Sequence, residues 1–192
     1  GNHSMTDLPP AAAERLEAGR TVRDSVPLEA LAEWVAPPQR PDPVATIERQ
    51  NTTRVPELVP IRHARMLVSA FTFYRGGAAI MASDLAQMPT TGLRVQCCGD
   101  AHLSNFGVFA APDRRLVFDL NDFDETLPGP FEWDVKRLVA SLVVAARDSG
   151  HTGDEQRTAA RAAAAGYREA MAAAAATRFI DLWYARVDVD AL

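Results

Sequence analysis

Apolar residues recur at helical spacing from Arg62 to Phe73, and again from Ala78 to Leu85 beyond an Arg75-Gly76-Gly77 break. The period then changes. In Gly92-Leu93-Arg94-Val95-Gln96-Cys97-Cys98, Leu93, Val95 and Cys97 alternate with polar neighbours, which predicts a strand. Leu116-Val117-Phe118 predicts a second short strand, entered through a Pro112-Asp113-Arg114-Arg115 turn. From Trp133 to Arg147 the helical period returns, with Leu138, Leu142 and Ala145/Ala146 on one side. A long alanine-rich helix is expected from Glu155 to about Ala185, interrupted only at Gly166. Its tail, Ile180-Asp181-Leu182-Trp183-Tyr184, is apolar enough to need a packing partner, either further chain or another subunit through this C-terminal helix. The expected architecture is α+β and mostly helical, with a small sheet carrying the site loops.

Residues 5–60 are rich in proline and charge and read as a partly ordered N-terminal arm, with short helices near Ala11–Ala18 and Leu28–Trp34. Residues 1–4, ahead of Met5, resemble an expression-tag remnant, which leaves 61–192 as the domain proper. Of the 192 residues 47% are hydrophobic and 23% charged, the balance of a globular chain. A net charge of −5 supplies no global basic field for nucleic acid or an anionic membrane. No run reaches the length of a membrane span. Cys97 and Cys98 are adjacent, too few for a structural zinc site and poorly placed for a disulfide, so both read as buried thiols in a reducing cytoplasm.

The candidate chemistry lies between Cys98 and Leu142. Gly99-Asp100-Ala101-His102-Leu103-Ser104-Asn105-Phe106-Gly107 follows the first strand, and Asp119-Leu120-Asn121-Asp122-Phe123-Asp124-Glu125 follows the second. Two strand ends that each carry carboxylates can converge them on one point. Phosphoryl transfer needs that: one carboxylate to orient the acceptor hydroxyl, others with an amide oxygen to hold magnesium against the phosphates. A Gly-Asp pair after a strand is by itself an ordinary turn, and an acidic run an ordinary solvated loop. Their co-occurrence is the signal, because crowding Asp119, Asp122, Asp124 and Glu125 costs free energy without a neutralising cation. His102 reads as structural, bonded to the loop backbone or to Asp122, ahead of a metal ligand. Asp134 reads as the cap of the helix it opens and a brace for the Asp100 loop, with Lys136 and Arg137 paired to nearby carboxylates. Arg62, Arg65 and Arg75 are candidates for phosphate, although Arg62 and Arg65 read first as surface ion-pair residues.

The Asp100 to Asn105 spacing resembles the catalytic loop of protein kinases and aminoglycoside phosphotransferases, and Asp122-Phe123-Asp124 is similar to their Asp-Phe-Gly metal loop. More closely, Arg62 through Leu142 resembles a bacterial family known as domain of unknown function 2252. The matching phrases are Arg-Met-Leu-Val-Ser-Ala-Phe, Tyr-Arg-Gly-Gly, Gly-Asp-Ala-His-Leu-Ser-Asn-Phe-Gly and Asn-Asp-Phe-Asp-Glu-Thr-Leu-Pro-Gly-Pro-Phe-Glu-Trp-Asp. Members of that family are longer, which makes this chain resemble a C-terminally shortened form, incomplete at that end. The kinase resemblance implies a phosphotransferase C-lobe-like fold, with Asp100 as catalytic carboxylate. It implies Asn105 and Asp122 as magnesium ligands that also bind the cofactor, and Asp124 as holder of a second ion. Asp119, nineteen residues after Asp100, rivals Asp122; the Phe123 and Asp134 spacings favour Asp122.

A kinase lobe also needs a glycine-rich loop and a strand lysine, yet Lys136 is the sole lysine here. Arg75, ahead of Gly76-Gly77 and the Ala78 helix, is the candidate substitute for the cofactor's phosphates. The expectation is an ATP- and magnesium-dependent phosphotransferase of a small-molecule substrate, or a degenerate nucleotide-binding relative. A non-catalytic pseudokinase-like binding module and a metal-dependent phosphohydrolase are the alternatives.

Overall fold

The computed structural model describes residues 10–189, so the tag-like residues 1–4 lie outside the described residues. The arm is helical in three pieces, α1 (Pro10–Ser25), α2 (Leu28–Ala32) and α3 (Pro43–Asn51). Asp42 caps α3 by accepting from Val44 N and Ala45 N, with Pro43 in the first turn where its missing N–H costs nothing. Arg40 ties the arm to the domain through a two-pronged bond to Asp84, each contact 2.7 Å.

The helix expected across Arg62–Phe73 is two helices, α4 (Val59–Met66) and α5 (Ala70–Gly76). Ser69 makes the break. It forms a capping box with Thr72, and Leu67 just ahead of it is 81% exposed, so the apolar period there does not mark a buried face. The break at Gly76-Gly77 is as expected, and α6 (Ala78–Leu85) follows.

The predicted strands form, as β1 (Arg94–Cys97) and β3 (Leu116–Leu120), but they do not pair with one another. β1 pairs antiparallel with β4 (Leu127–Pro130), Val95 opposite Gly129. β3 pairs with β2 (Phe106–Ala110), Val108 opposite Phe118. Both partners carry weak strand signals: β4 is half proline, tolerable because it is an edge, and β2 lacks polar alternation. The Pro112–Arg115 turn closes the β2–β3 hairpin, with Ala111 N donating to Arg115 O at 2.8 Å.

α7 (Phe131–Asp148) is the beam of the domain, packing on α8 (Gly153–Ala175), α5, α6, β1 and β4. Gly166 does not interrupt α8, whose start is fixed by a Thr152–Glu155 capping box and whose alanines favour helix throughout. Tyr167 of α8 stacks on Phe131 at 6.2 Å. α9 (Phe179–Trp183) projects Trp183 outward, 72% exposed, so the packing partner expected for this tail is not supplied by the described residues. No described helix is long and apolar enough to cross a membrane. Cys97 and Cys98 are buried, free thiols.

Two residues beyond β1 stands Gly99, whose φ of +86° suits glycine and whose Cβ, if present, would stand 2.0 Å from the Glu125 carbonyl oxygen. Gly92, at the start of the same strand, has φ +77° and open space around it. Gly92→Ala should therefore cost about 1 kcal/mol for backbone strain. Gly99→Ala should cost at least about 3 kcal/mol, since strain and overlap add. Urea denaturation of the two variants measures the gap, and equal costs would contradict the close approach.

Candidate functional site

The loop after β1 is held from below by α7. Asp134 accepts from Cys98 N at 2.8 Å and Gly99 N at 3.2 Å. It lies inside α7 and does not cap it; Pro130 is the N-cap residue and makes no side-chain cap. The expected brace is present and the expected cap is not, because the helix starts earlier than the Trp133 pattern implies. Asp134 and burial together place the Cys98 thiol in an anion-hostile setting: burial first, then Asp134, pushes it up to about 12. Ser141, one turn beyond Arg137, donates to Leu138 O at 2.6 Å and accepts from Leu103 N at 2.9 Å, fixing the far end of the loop.

Arg137 makes the central contact. Its side chain, 3% exposed, brings Nε to 2.7 Å and Nη2 to 2.6 Å from Asp100 Oδ1. Nη2 also donates to Tyr74 O at 2.9 Å, the guanidinium lies 4.3 Å over the Tyr74 ring, and Tyr74 returns its hydroxyl to Arg137 O at 2.8 Å. Burial pushes the Tyr74 phenol up to about 12, so it donates as a neutral group. Asp100 Oδ2 faces His102 Nε2 at 3.5 Å. His102 therefore sits against Asp100 and not Asp122. Burial pushes His102 down, with Asp100 opposing and Arg137 and Arg75 reinforcing, and its Nδ1 is buried without a partner.

In front of this loop opens a cleft of about 1030 Å³. Asp100, His102 and Asp122 line it, together with Arg54, Arg62, Arg65 and Arg75. None of these four arginines forms a salt bridge among the described residues. Arg62 is anchored by Gly76 O at 2.7 Å and Asn51 Oδ1 at 3.3 Å, and desolvation followed by repulsion from Arg54 lowers its pKa. Partial desolvation, then the proximity of Asp100, raises the Glu125 pKa, with Arg137 and Arg54 opposing and Asp122 reinforcing. Arg54 was not among the sequence candidates, because nothing in its local pattern separates it from a solvated loop arginine.

Of the sequence candidates, Asp100, Asp122, Arg62, Arg65 and Arg75 are brought to the one cleft. Asn105 is buried behind it, donating its amide to Asp100 O at 2.8 Å. Asp119 turns back to its own strand, accepting from Leu120 N at 2.7 Å, and neither it nor Asp124 lines the cleft. Among the described residues no three His, Cys, Asp or Glu side chains gather as a protein-built metal cage requires. Magnesium asks for less: it keeps its waters and takes one or two carboxylates together with substrate phosphates. Asp122, exposed and receiving one hydrogen bond from Asp124 N at 3.1 Å, has the chemistry of such a ligand.

Two outcomes follow from the buried pair and the lowered histidine. Arg137→Met leaves Asp100 without its cation and should cost about 3–5 kcal/mol in urea unfolding. Arg137→Lys should recover little of it, since a point charge cannot serve Asp100 and Tyr74 O together. Because His102 has a folded pKa below the ordinary 6.5, the unfolded chain binds its proton first as pH falls. Stability should then drop below about pH 6.5 and level off beneath the folded value. Melting curves between about pH 7 and 5 should show a shallower fall for His102→Gln.

No curated protein and no solved structure matches the chain. A family model does, over residues 54–192, the span that carries all four cleft arginines and the Asp100 loop. The chain belongs to the family described as uncharacterized protein conserved in bacteria (DUF2252).

Proposed function

We propose that the cleft is a phosphate-handling site, and that the chain is a kinase-like, ATP- and magnesium-dependent phosphotransferase acting on a small molecule. One observation carries the reading: four arginines that form no salt bridge among the described residues line a single cavity with Asp100 and Asp122. Guanidinium groups grip phosphate oxygens two at a time, and a cluster of them is costly to leave unpaired. Arg75 and Arg65, both exposed toward the cleft, would take the phosphates that a strand lysine takes in kinases. Magnesium, when bound with the nucleotide, would neutralise phosphate charge, with Asp122 as its protein ligand.

Asp100 would orient the acceptor hydroxyl through Oδ2, since Arg137 occupies Oδ1. Asn105 and Asp134 would act through the loop they hold in place. A buried, reduced Cys97-Cys98 pair suits a cytoplasmic setting. A specific observation favours a second reading, the degenerate nucleotide-binding or pseudokinase-like module. Arg137 engages Asp100 Oδ1 with two donors and holds the carboxylate in the loop, so binding can survive where transfer does not.

The deciding experiment is a thermal-shift and turnover panel with ATP, ADP and inorganic phosphate, with and without magnesium. Ligand at a hundred times its Kd stabilises the folded chain by about 2.7 kcal/mol. Arg65→Ala with Arg75→Ala should cut that shift strongly, and Asp122→Ala should remove its magnesium dependence. Asp100→Ala should abolish transfer while nucleotide still binds. Phosphate release without an added acceptor would mark a hydrolase instead. Unchanged binding and turnover in all the variants would refute the reading.

A further inference from the structure

The β2–β3 hairpin turns an apolar face to solvent. Side chains alternate across a strand, so the register groups Phe106, Val108 and Ala110 of β2 with Leu120, Phe118 and Leu116 of β3 on one face. All six are apolar. On the opposite face Phe109 stands against Val117, and Val117 is buried, so that side is the one covered by the rest of the chain. On the first face Val108 and Leu116 are each just over half exposed, and Phe118 more than a third. An antiparallel sheet ordinarily sets polar residues on its solvated side. This one sets none.

The segment after α9 widens the face. Phe118 N donates to Val187 O at 2.9 Å and Val117 bridges Asp188, which places Val187, nearly half exposed, beside Phe118. Val108, Phe118 and Val187 thus form one apolar row over three lengths of chain. Tyr184 lies three residues before Val187, within about 11 Å by chain reach. It closes α9, where Phe179 and Trp183 hold their ring centroids 6.2 Å apart, and the three aromatics are 72–77% exposed.

These residues amount to an interface in area. Three aromatics exposed to that degree present roughly 350–550 Å², and Val108, Leu116, Phe118 and Val187 add about 300 Å² on a similar scale. The largest apolar patch of an ordinary monomer is about 300–600 Å², while a stable complex covers about 800 Å² per partner. The chemistry then selects the partner. Among the described residues no charge stands on the sheet face, and at its border Arg115 and Arg186 are already engaged by Asp113 and Asp188 at 2.9–3.1 Å. An acidic or basic partner gains nothing here. The matching surface is uncharged, apolar and of equal extent, and a two-fold rotation of the same chain supplies it.

We propose that two copies of this chain pack hairpin face to hairpin face about a two-fold axis, with the α9 aromatics at the flank. None of the face residues lines the arginine-bearing cleft, so the contact stands whatever that cleft binds.

The test is sedimentation of the whole chain over about 1–100 μM, a range that brackets a micromolar Kd. The mass should rise from 20.8 kDa to twice that value and stop there, because a two-fold contact closes on itself. Val108→Glu and Phe118→Glu each bury a carboxylate without a partner and should weaken association at least about a hundredfold. Trp183→Ala, at a side chain open to solvent, should weaken it less. Arg65→Ala with Arg75→Ala should leave it unchanged, and circular dichroism checks that each variant folds. A wild-type chain that stays monomeric throughout overturns the proposal without recourse to any variant, as does growth past the dimer. So does a dimer that survives both hairpin variants, or one lost in the cleft doublet.

Discussion

A guanidinium almost sealed from water has to find an acceptor for nearly every N–H, and Arg137 finds them by drawing three separate pieces of chain together. Asp100 comes from the end of β1, Tyr74 from α5, and Arg137 itself from α7. Each contact is directional: Nε and Nη2 share Asp100 Oδ1, while Nη2 also reaches the Tyr74 carbonyl. Moving any one element by an ångström leaves a buried charge unpaired, at a cost of several kcal/mol. The pair is accordingly weak as a source of net stability and strong as a constraint on geometry. It fixes where the Asp100 loop stands relative to α5, whose end carries Arg75.

That constraint also sets the electrostatics of the cleft. With Asp100 neutralised from behind, the charges that face the cavity are four arginines against Asp122, supported at a distance by Glu125. A chain of net charge −5 therefore presents a locally positive cavity. Composition predicts no general attraction for polyanions, and the structure concentrates cationic charge at one place. The phosphate ligand proposed above would match this scale, about the width of one cleft.

The convergence of Asp100 and Asp122 was legible because each follows a strand whose alternation or β-branched content is visible in a few residues. Asn105 was read from its spacing to Asp100 as a magnesium ligand through its amide oxygen; the structure shows its amide nitrogen donating to Asp100 O. The partner strands were hidden for a physical reason. β4 reads as Leu-Pro-Gly-Pro, a turn composition, and becomes a strand only because β1 offers it an open edge. Arg137 is more instructive: its pairing with a carboxylate was expected, but not with which one. It lies 37 residues from Asp100, and periodicity within one helix can show only neighbours three or four apart. A sign was present: Arg137 and Ser141 stand four apart beside Leu138 in a stripe that is otherwise apolar, and both are buried. Polar residues at helical spacing inside an apolar face announce a buried network, though they do not name its other end.

Lys136 and Arg137 show why two adjacent cations on one helix serve different purposes. Consecutive residues point about 100° apart around a helix, so α7 sends one toward a cavity on the side of the N-terminal arm and the other toward the Asp100 loop. The loop side demands a permanent charge with several fixed donors, because its acceptors are buried and cannot move. Only arginine meets that demand, since its proton is never lost and its fork is planar. The arm side sets Lys136 in a cavity with Leu31, Trp34 and the Arg40–Asp84 pair, where burial lowers its pKa and Glu132, one turn back, opposes that. Exchanging the two residues would put a charge that cannot be shed beside Met88 and a single ammonium beside two acceptors. The order of the pair along the chain is thus dictated by the unlike environments on the two sides of α7.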